Sequence, residues 1–327
     1  MAIPSDLTKL FSTPGRSYLC LAHVYPDGDV LGSQLGLGLA LMAAGEEVTF
    51  AGPHAVPEPY QFLPGASLLQ QWKEGKGGYD VVVMVDCPDP DRAERLLNES
   101  RGGKTIVVNI DHHPDNKRYG DLNWIDPGAA ATGEMVYDLL LALHLPISEA
   151  VAMNLYTAIL TDTGSFRYSN VTPKTLEVAG RLVAQGAQPA VIASRLYETR
   201  SPGTLAVLGR LLQEIKVSDD GLVAWLTIQN GSVPAEIIEA EDLVTYPRSV
   251  RTVKVALLLR EVGSGEVKVS LRAKGEVDVG KIAASFGGGG HANAAGCTIR
   301  GGLESARSTL FKAVDEALKP FKSGLNR

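Results

Sequence analysis

Cysteine is scarce in this chain. The three present, Cys20, Cys87 and Cys297, lie in apolar surroundings with no paired spacing. That excludes a disulfide framework or a thiolate zinc knuckle and fits reduced thiols in a cytoplasmic protein. No uninterrupted apolar stretch approaches the ~20 residues that a membrane helix needs, so no membrane partner is expected. The N-terminus shows no basic start followed by an apolar run, so no signal peptide is read there. Positive charge is not in excess: the net charge is −6 at neutral pH. That argues against a long electrostatic track along a nucleic-acid backbone, while leaving room for a local basic pocket. Solenoid-length repeats and low-complexity tails are missing as well.

What remains is the composition of an ordinary globular protein, 45% hydrophobic and 21% charged, and 327 residues favour two domains. Residues 1–215 hold 16 Lys and Arg against 24 Asp and Glu, whereas residues 216–327 hold 15 against 13. An acidic front and a slightly basic back point to two chemically different domains.

Apolar runs at 18–24, 48–51, 79–85 and 104–110 read as buried strands, alternating with helical patterns at 32–44, 91–98, 132–143, 149–160 and 172–185. Thr132 is the expected cap of its helix. The alternation predicts a parallel sheet with helices on both faces. Residues 189–215 look helical and connecting, broken at Ser201-Pro202-Gly203. Strand-like runs follow at 222–229, 250–261, 266–273 and 296–299, then a closing helix near 303–318. The expected layout is a first α/β domain over 1–188, a helical linker over 189–215 and a smaller α/β domain over 216–327.

The chemistry concentrates at the ends of the first-domain strands. The run into Asp111-His112-His113-Pro114 is apolar, and charged or imidazole groups there are costly to bury unless something binds them. Parallel sheets place ligands where such ends converge. His23 with Asp27 and Asp29, then Asp86, and then Asp162 after a helix, supply further groups. Taken singly, Asp86 is a turn or cap residue and His23 a satisfied core histidine. Four such ends in one domain are not independent, and together they read as a metal centre. Gly28 offers flexibility that lets the flanking carboxylates turn toward two different ions. Oxygen and imidazole donors without thiolate favour manganese over zinc, with magnesium, cobalt and iron as alternatives.

In the second domain, Gly287-Gly288-Gly289-Gly290-His291 offers close backbone approach and N–H groups that can face an anion. Arg272 can fork onto a phosphate.

The segments His23-Val-Tyr-Pro-Asp27-Gly-Asp29-Val-Leu-Gly-Ser33, Val85-Asp86-Cys87, Asp111-His112-His113-Pro114 and Thr161-Asp162-Thr163-Gly164 resemble the four motifs of the DHH phosphoesterase family, in order and in spacing. Ser270-Leu271-Arg272 and the glycine run through His291 to Gly296 resemble the DHHA1 domain. The resemblance implies two manganese ions. One would be held by His23, Asp27 and Asp86, the other by Asp29, Asp86, His112 and Asp162, with Asp86 bridging. It implies that His113 meets phosphate oxygens or moves a proton and that Asp111 orients the neighbouring imidazole. In the second domain Arg272, Gly288, Gly289, Gly290 and His291 would bind the nucleotide.

The two-domain size resembles the family's hydrolases of short RNA or DNA oligonucleotides and of 3′-phosphoadenosine 5′-phosphate, and a homodimer is implied. A second domain that holds the nucleotide favours short substrates. The alternatives are a linear or cyclic dinucleotide phosphodiesterase, a RecJ-like single-strand exonuclease and a nucleotide sensor without catalysis.

Overall fold

The computed structural model describes residues 2–72, 77–93, 96–234, 243–263 and 265–322. The chain divides into two compact units, Met1–Thr199 and Arg200–Arg327.

The first unit runs α1 (Ser5–Phe11), β1 (Ser17–Leu21), α2 (Gly28–Ala43), β2 (Glu47–Gly52), β3 (Leu69–Gln71), β4 (Val81–Val85), α3 (Leu96–Ser100), β5 (Ile106–Asp111) and β6 (Leu122–Ile125). It continues with α4 (Thr132–Ala142), α5 (Glu149–Asp162), α6 (Pro173–Ala184) and α7 (Pro189–Tyr197). The six strands form one parallel sheet in the order β3-β2-β1-β4-β5-β6. Alternate residues of β1 and β4 enter different cores. Tyr18, Cys20, Val81, Val83 and Val85 pack with α2, α4 and α5, while Leu19, Leu21, Val82 and Met84 pack with Ala93, Leu96 and Leu97. Both faces are therefore covered by helices, which is why these strands read as unbroken apolar runs. The strand order reverses between β1 and β4, and the crevice at such a reversal, outside the carboxyl ends, is where open parallel sheets bind ligands.

Several local expectations change. The sheet has six strands where the apolar runs suggested four. β3 (Leu-Gln-Gln) and β6 (Leu-Asn-Trp-Ile) lie at its edges and are too short and polar to stand out. α2 starts at Gly28, not Gly32, because Asp27 caps it through Oδ1, which accepts from the amides of Asp29 and Val30 at 3.1 and 3.2 Å. The helix expected over 91–98 is a 3₁₀ turn, Pro90–Ala93, and the short α3.

The stretch read as a linker is two helices. α7 buries Ile192 in the first core, and α8 (Pro202–Gln213) buries Leu208 and Leu211 in the second unit.

The second unit holds β7 (Lys216–Val217), β8 (Val223–Ile228), β9 (Val255–Glu261), β10 (Glu266–Ala273), β11 (Gly289–His291) and β12 (Ala294–Arg300), in the order β11-β12-β10-β9-β8-β7. Only β8 and β9 run parallel among these pairs. The closing helix, Gly302–Lys322, lays a stripe of Ala306, Leu310, Val314 and Leu318 into the core, a spacing that keeps one face buried. Among the described residues no helix is long and apolar enough to cross a membrane.

Candidate metal centre

The site depends first on a row of glycines. Gly28, Gly32 and Gly36 recur every four residues along α2. A methyl group on Gly32 would lie 2.4 Å from the Asn154 carbonyl, and on Gly28 and Gly36 it would meet the Thr161 and Leu155 side chains at 2.5 and 2.6 Å. α5 thus approaches α2 at backbone distance. Gly28 serves this close approach; the flexibility expected of it is not what the packing uses.

Through that approach the end of α5 and the start of α2 share one imidazole. Asp162 Oδ2 and Asp29 Oδ2 each lie 3.6 Å from His112 Nε2. Asp29 also does the capping that Thr132 was expected to do. Its carboxylate accepts from the amides of Thr132 and Gly133 at 2.7 and 2.9 Å, and from the Ser33 hydroxyl at 2.9 Å. A carboxylate at a helix N-terminus satisfies orphan amides and faces the positive end of the dipole. Thr132 is thereby released, and its hydroxyl donates to Asp86 Oδ1 at 3.1 Å.

Asp86 sits just past β4 with φ +53°, a conformation uncommon for a residue with a side chain. Its amide donates to the Ile110 carbonyl at 2.9 Å, which holds the turn. Asp86 Oδ1 lies 3.5 Å from His112 Nε2 and 3.6 Å from His113 Nδ1. His112 Nδ1 lies 3.1 Å from the Ala129 carbonyl, which accepts its proton and turns Nε2 toward three carboxylates. His23, past β1, is fixed alike, with Nδ1 2.7 Å from the Val24 carbonyl.

Asp111 is fully buried and spent on orientation. Oδ1 accepts from the His112 amide at 2.8 Å and from His113 Nδ1 at 2.8 Å, and Oδ2 accepts from the Asn116 amide group at 2.5 Å. Asn116 also donates to Asn109 Oδ1, and Asn109 and Tyr119 both donate to the Cys87 carbonyl. Sequence reasoning missed Asn109, Asn116 and Tyr119. The one signal was an asparagine inside the apolar run of β5.

The ligand atoms of His23, Asp27 and Asp86, of Asp29, Asp86 and His112, and of Asp86, Asp111 and His113 form groups whose members all lie within 4.8 Å of one another. Asp86 belongs to all three. Burial and the nearby Asp86 push the Asp29 carboxyl well above the usual carboxylate range. Burial likewise pushes Asp162 up to about 6. Burial opposes ionisation of Asp86 too, but His112 and His113 beside it hold its carboxyl below the usual range. Burial pulls against the charged form of His112, and Asp162, Asp86 and Asp29 outweigh it, raising that imidazole well above its ordinary value.

Among the described residues no Lys or Arg pairs with Asp29, Asp86 or Asp162. Carboxylates crowded in a buried site need a cation, and this donor set of oxygens and imidazoles suits hard to borderline divalent ions. Cys87, beside Asp86, is no ligand: burial raises its thiol to about 12, and its Sγ points to the Asp89 carbonyl.

The glycine run is not an open loop. Gly289–His291 is the edge strand β11, paired Gly289 to Gly296, Gly290 to Ala295 and His291 to Ala294. A methyl group on Gly288 would lie 2.1 Å from the Gly296 carbonyl, so the glycines serve close packing as well as conformation. Arg272 on β10 also pairs with Ala294. Residues directly opposite one another share a face of a sheet, so Arg272 and His291 flank Ala294 on one face.

Residues 17–159 match the DHH family, N-terminal domain, and residues 235–320 match the DHHA1 domain. A Thermus thermophilus protein named bifunctional oligoribonuclease and PAP phosphatase NrnA is 36% identical over 319 residues, covering 97% of this chain and 94% of that one. The chain belongs to the DHH family. A Bacillus subtilis protein of the same name is 30% identical over 285 residues, covering 85% of this chain and 87% of its own. Among solved structures, an exopolyphosphatase-related protein from Bacteroides fragilis superposes with a TM-score of 0.84 at 25% identity, over 98% of this chain and 97% of that one. The Asp-His-His triplet that carried the family resemblance ends β5, beside the point where the strand order reverses.

Proposed function

We propose that this DHH-family chain is a metal-dependent phosphoesterase that hydrolyses short RNA or DNA oligonucleotides to mononucleotides and removes the 3′-phosphate of 3′-phosphoadenosine 5′-phosphate. The observation that carries the reading is Asp86, buried at the crevice and shared by the groupings around His23 and around His112. One carboxylate common to two ligand sets is what a two-ion centre needs. The relatives' names supply the substrate class. The cations proposed are two Mn2+, one with His23, Asp27 and Asp86, the other with Asp29, Asp86, His112 and Asp162.

When bound, such ions would supply Lewis-acid charge and make a coordinated water more acidic. The protein's own groups do the rest. Asp27 keeps one oxygen on the cap of α2 and offers the other to an ion. Burial weakens protonation of His113, but Asp111 outweighs it and raises the imidazole above its ordinary value. His113, its Nδ1–H held by Asp111, then presents a protonated Nε2 to a phosphate oxygen and to the leaving oxygen. In the second unit Arg272 and His291 bind the nucleotide. A homodimer and a cytoplasmic location belong to the same reading, the location supported by the free state of all three cysteines.

The test is a Mn2+-dependent time course on a labelled five-residue RNA beside 3′-phosphoadenosine 5′-phosphate and a long single-stranded DNA. The reading expects loss of the short RNA and of the 3′-phosphate, with the long strand spared. Degradation of the long DNA alone would replace it with a RecJ-like exonuclease.

A further inference from the structure

Tyr25 stands between two expected ligands, two residues after His23 and two before Asp27. Its backbone is left-handed, with φ +52°. That conformation is uncommon for a bulky residue, and Pro26 adds to the cost, because the residue before a proline prefers extended backbone. The turn from β1 into α2 is fixed on both sides of it. The Val24 amide donates to the Arg92 carbonyl at 2.8 Å, and Asp27 caps α2. A turn held in this way takes glycine or asparagine at the least cost. Burial of a large ring would account for a tyrosine there, but Tyr25 is 65% exposed. Strain of this kind, without burial to offset it, gathers at functional sites.

His54 meets the ring. β2 pairs in parallel with β1, Leu21 opposite Ala51, so the segments leaving the two strands emerge side by side at the carboxyl end of the sheet. Tyr25 follows one strand and His54 the other. Their rings stack with centroids 4.9 Å apart and planes 23° from parallel, and the Tyr25 amide donates to His54 Nδ1 at 3.4 Å. The imidazole backs one face of the phenol ring, and the side chain is otherwise open to solvent. Alpha carbons two residues apart lie at most about 7 Å from one another, so the ring stands close to the ligands on either side of it. A flat surface, supported behind and open in front, suits a flat partner. A nucleotide carries its base one ribose away from its phosphate, so a phosphate at the centre brings a base to such a ring.

We propose that Tyr25, backed by His54, is the stacking platform for the base of the nucleotide whose phosphate sits at the metal centre. Every base has a π-face, so the platform takes purines and pyrimidines and reads no sequence. An oligonucleotide and 3′-phosphoadenosine 5′-phosphate are held by the same contact. The identity of the bound nucleotide rests on the phosphoesterase reading of the site; the strain and exposure of the ring do not.

The test compares wild type with Tyr25→Asn, Tyr25→Phe and His54→Ala in the Mn2+-loaded protein. Asparagine tolerates left-handed backbone and has no ring. Tyr25→Asn is therefore expected to unfold at or above the wild-type Tm and to bind Mn2+ as wild type does. Calorimetry then reads the affinities for adenosine 5′-monophosphate and for ribose 5-phosphate, which lacks the base. Tyr25→Asn is expected to lose roughly fivefold to a hundredfold for the nucleotide, the range for one base stacked on an aromatic ring, and nothing for the sugar phosphate. Its KM on a five-residue RNA is expected to rise by a similar factor, with a smaller change in kcat. Tyr25→Phe keeps the ring and both affinities. His54→Ala removes the backing and falls between, and it decides the matter if Tyr25→Asn does not fold. Unchanged nucleotide affinity in Tyr25→Asn, an equal loss for both ligands, or weaker Mn2+ binding would overturn the platform, as would a wild type that binds the two ligands alike. A wild type that prefers the nucleotide but cleaves no phosphoester would overturn the hydrolase reading instead, and the comparison of the two ligands would still decide the platform.

Discussion

His113 Nδ1 lies 2.8 Å from Asp111 Oδ1, and this contact sets what the imidazole can do. Asp111 is fully buried, so the pair acts with little screening. Asp111→Asn keeps an acceptor and removes the charge. We expect kcat to fall roughly 10- to 100-fold, the range for loss of an orienting partner. The sign in pH follows from the cause. Asp111 raises His113, so its loss lowers that value and moves the alkaline limb of the rate profile to lower pH. A limb that stays in place would remove His113 as the proton-bearing group. Asn116→Ala should give a weaker form of the same shift.

Removing Asp86 should be the most severe single change, because among the described residues it is the one that joins the His23 and His112 groupings. Asp86→Ala is expected to abolish turnover while leaving a cooperative unfolding transition, since the variant also relieves a crowded carboxylate. Wild-type rates in that variant, measured on the five-residue RNA, would end the two-ion account.

The glycine row predicts a link between packing and metal binding. Gly32→Ala places a methyl group against the Asn154 carbonyl, where only a backbone shift makes room. We expect a loss of about 1–3 kcal/mol in urea unfolding, typical of overpacking. Mn2+ affinity should fall as well, because Asp162 rides on α5. A variant that unfolds more easily yet binds Mn2+ as wild type does would separate the seam from the site.

Chelation should make stability depend on pH. Asp29, Asp162 and His112 have folded values raised above their unfolded ones, Asp162 to about 6. Stability from a raised value is full below the unfolded value and is lost as pH rises through the folded one. His23, lowered mainly by burial, opposes this as a single group. The metal-free protein is therefore expected to lose Tm between pH 5 and pH 7.5, and added Mn2+ to raise Tm more at pH 7.5. Equal increments at the two values would mean that the carboxylates are not the ion's ligands.

In the second unit, His291→Ala is expected to raise KM more than it lowers kcat and to leave Mn2+ affinity unchanged. An unchanged KM would move nucleotide binding away from the face shared by Arg272 and Ala294.

Much of this was legible where a residue type was out of keeping with its neighbours. Carboxylates and imidazoles ending apolar strands marked His23, Asp86 and Asp111-His112-His113, and a parallel sheet followed from the alternation of runs. Edge strands β3 and β6 left no such contrast. The glycine run has the composition of a loop and becomes a strand only because β12 pairs with it. Long-range partnerships were out of reach. Asp29 capping α4, Thr132 turning to Asp86, Asn116 holding Asp111 and Tyr25 stacking on His54 each join segments far apart in the chain or separated by a turn. No local pattern encodes them.

The most direct test of the account is a Mn2+ titration of the metal-free chain that counts ions bound. Wild type should take up two Mn2+ per chain, with Asp86→Ala losing that stoichiometry while remaining folded. A single ion per chain in wild type, or two retained without Asp86, would contradict a centre built around that shared carboxylate.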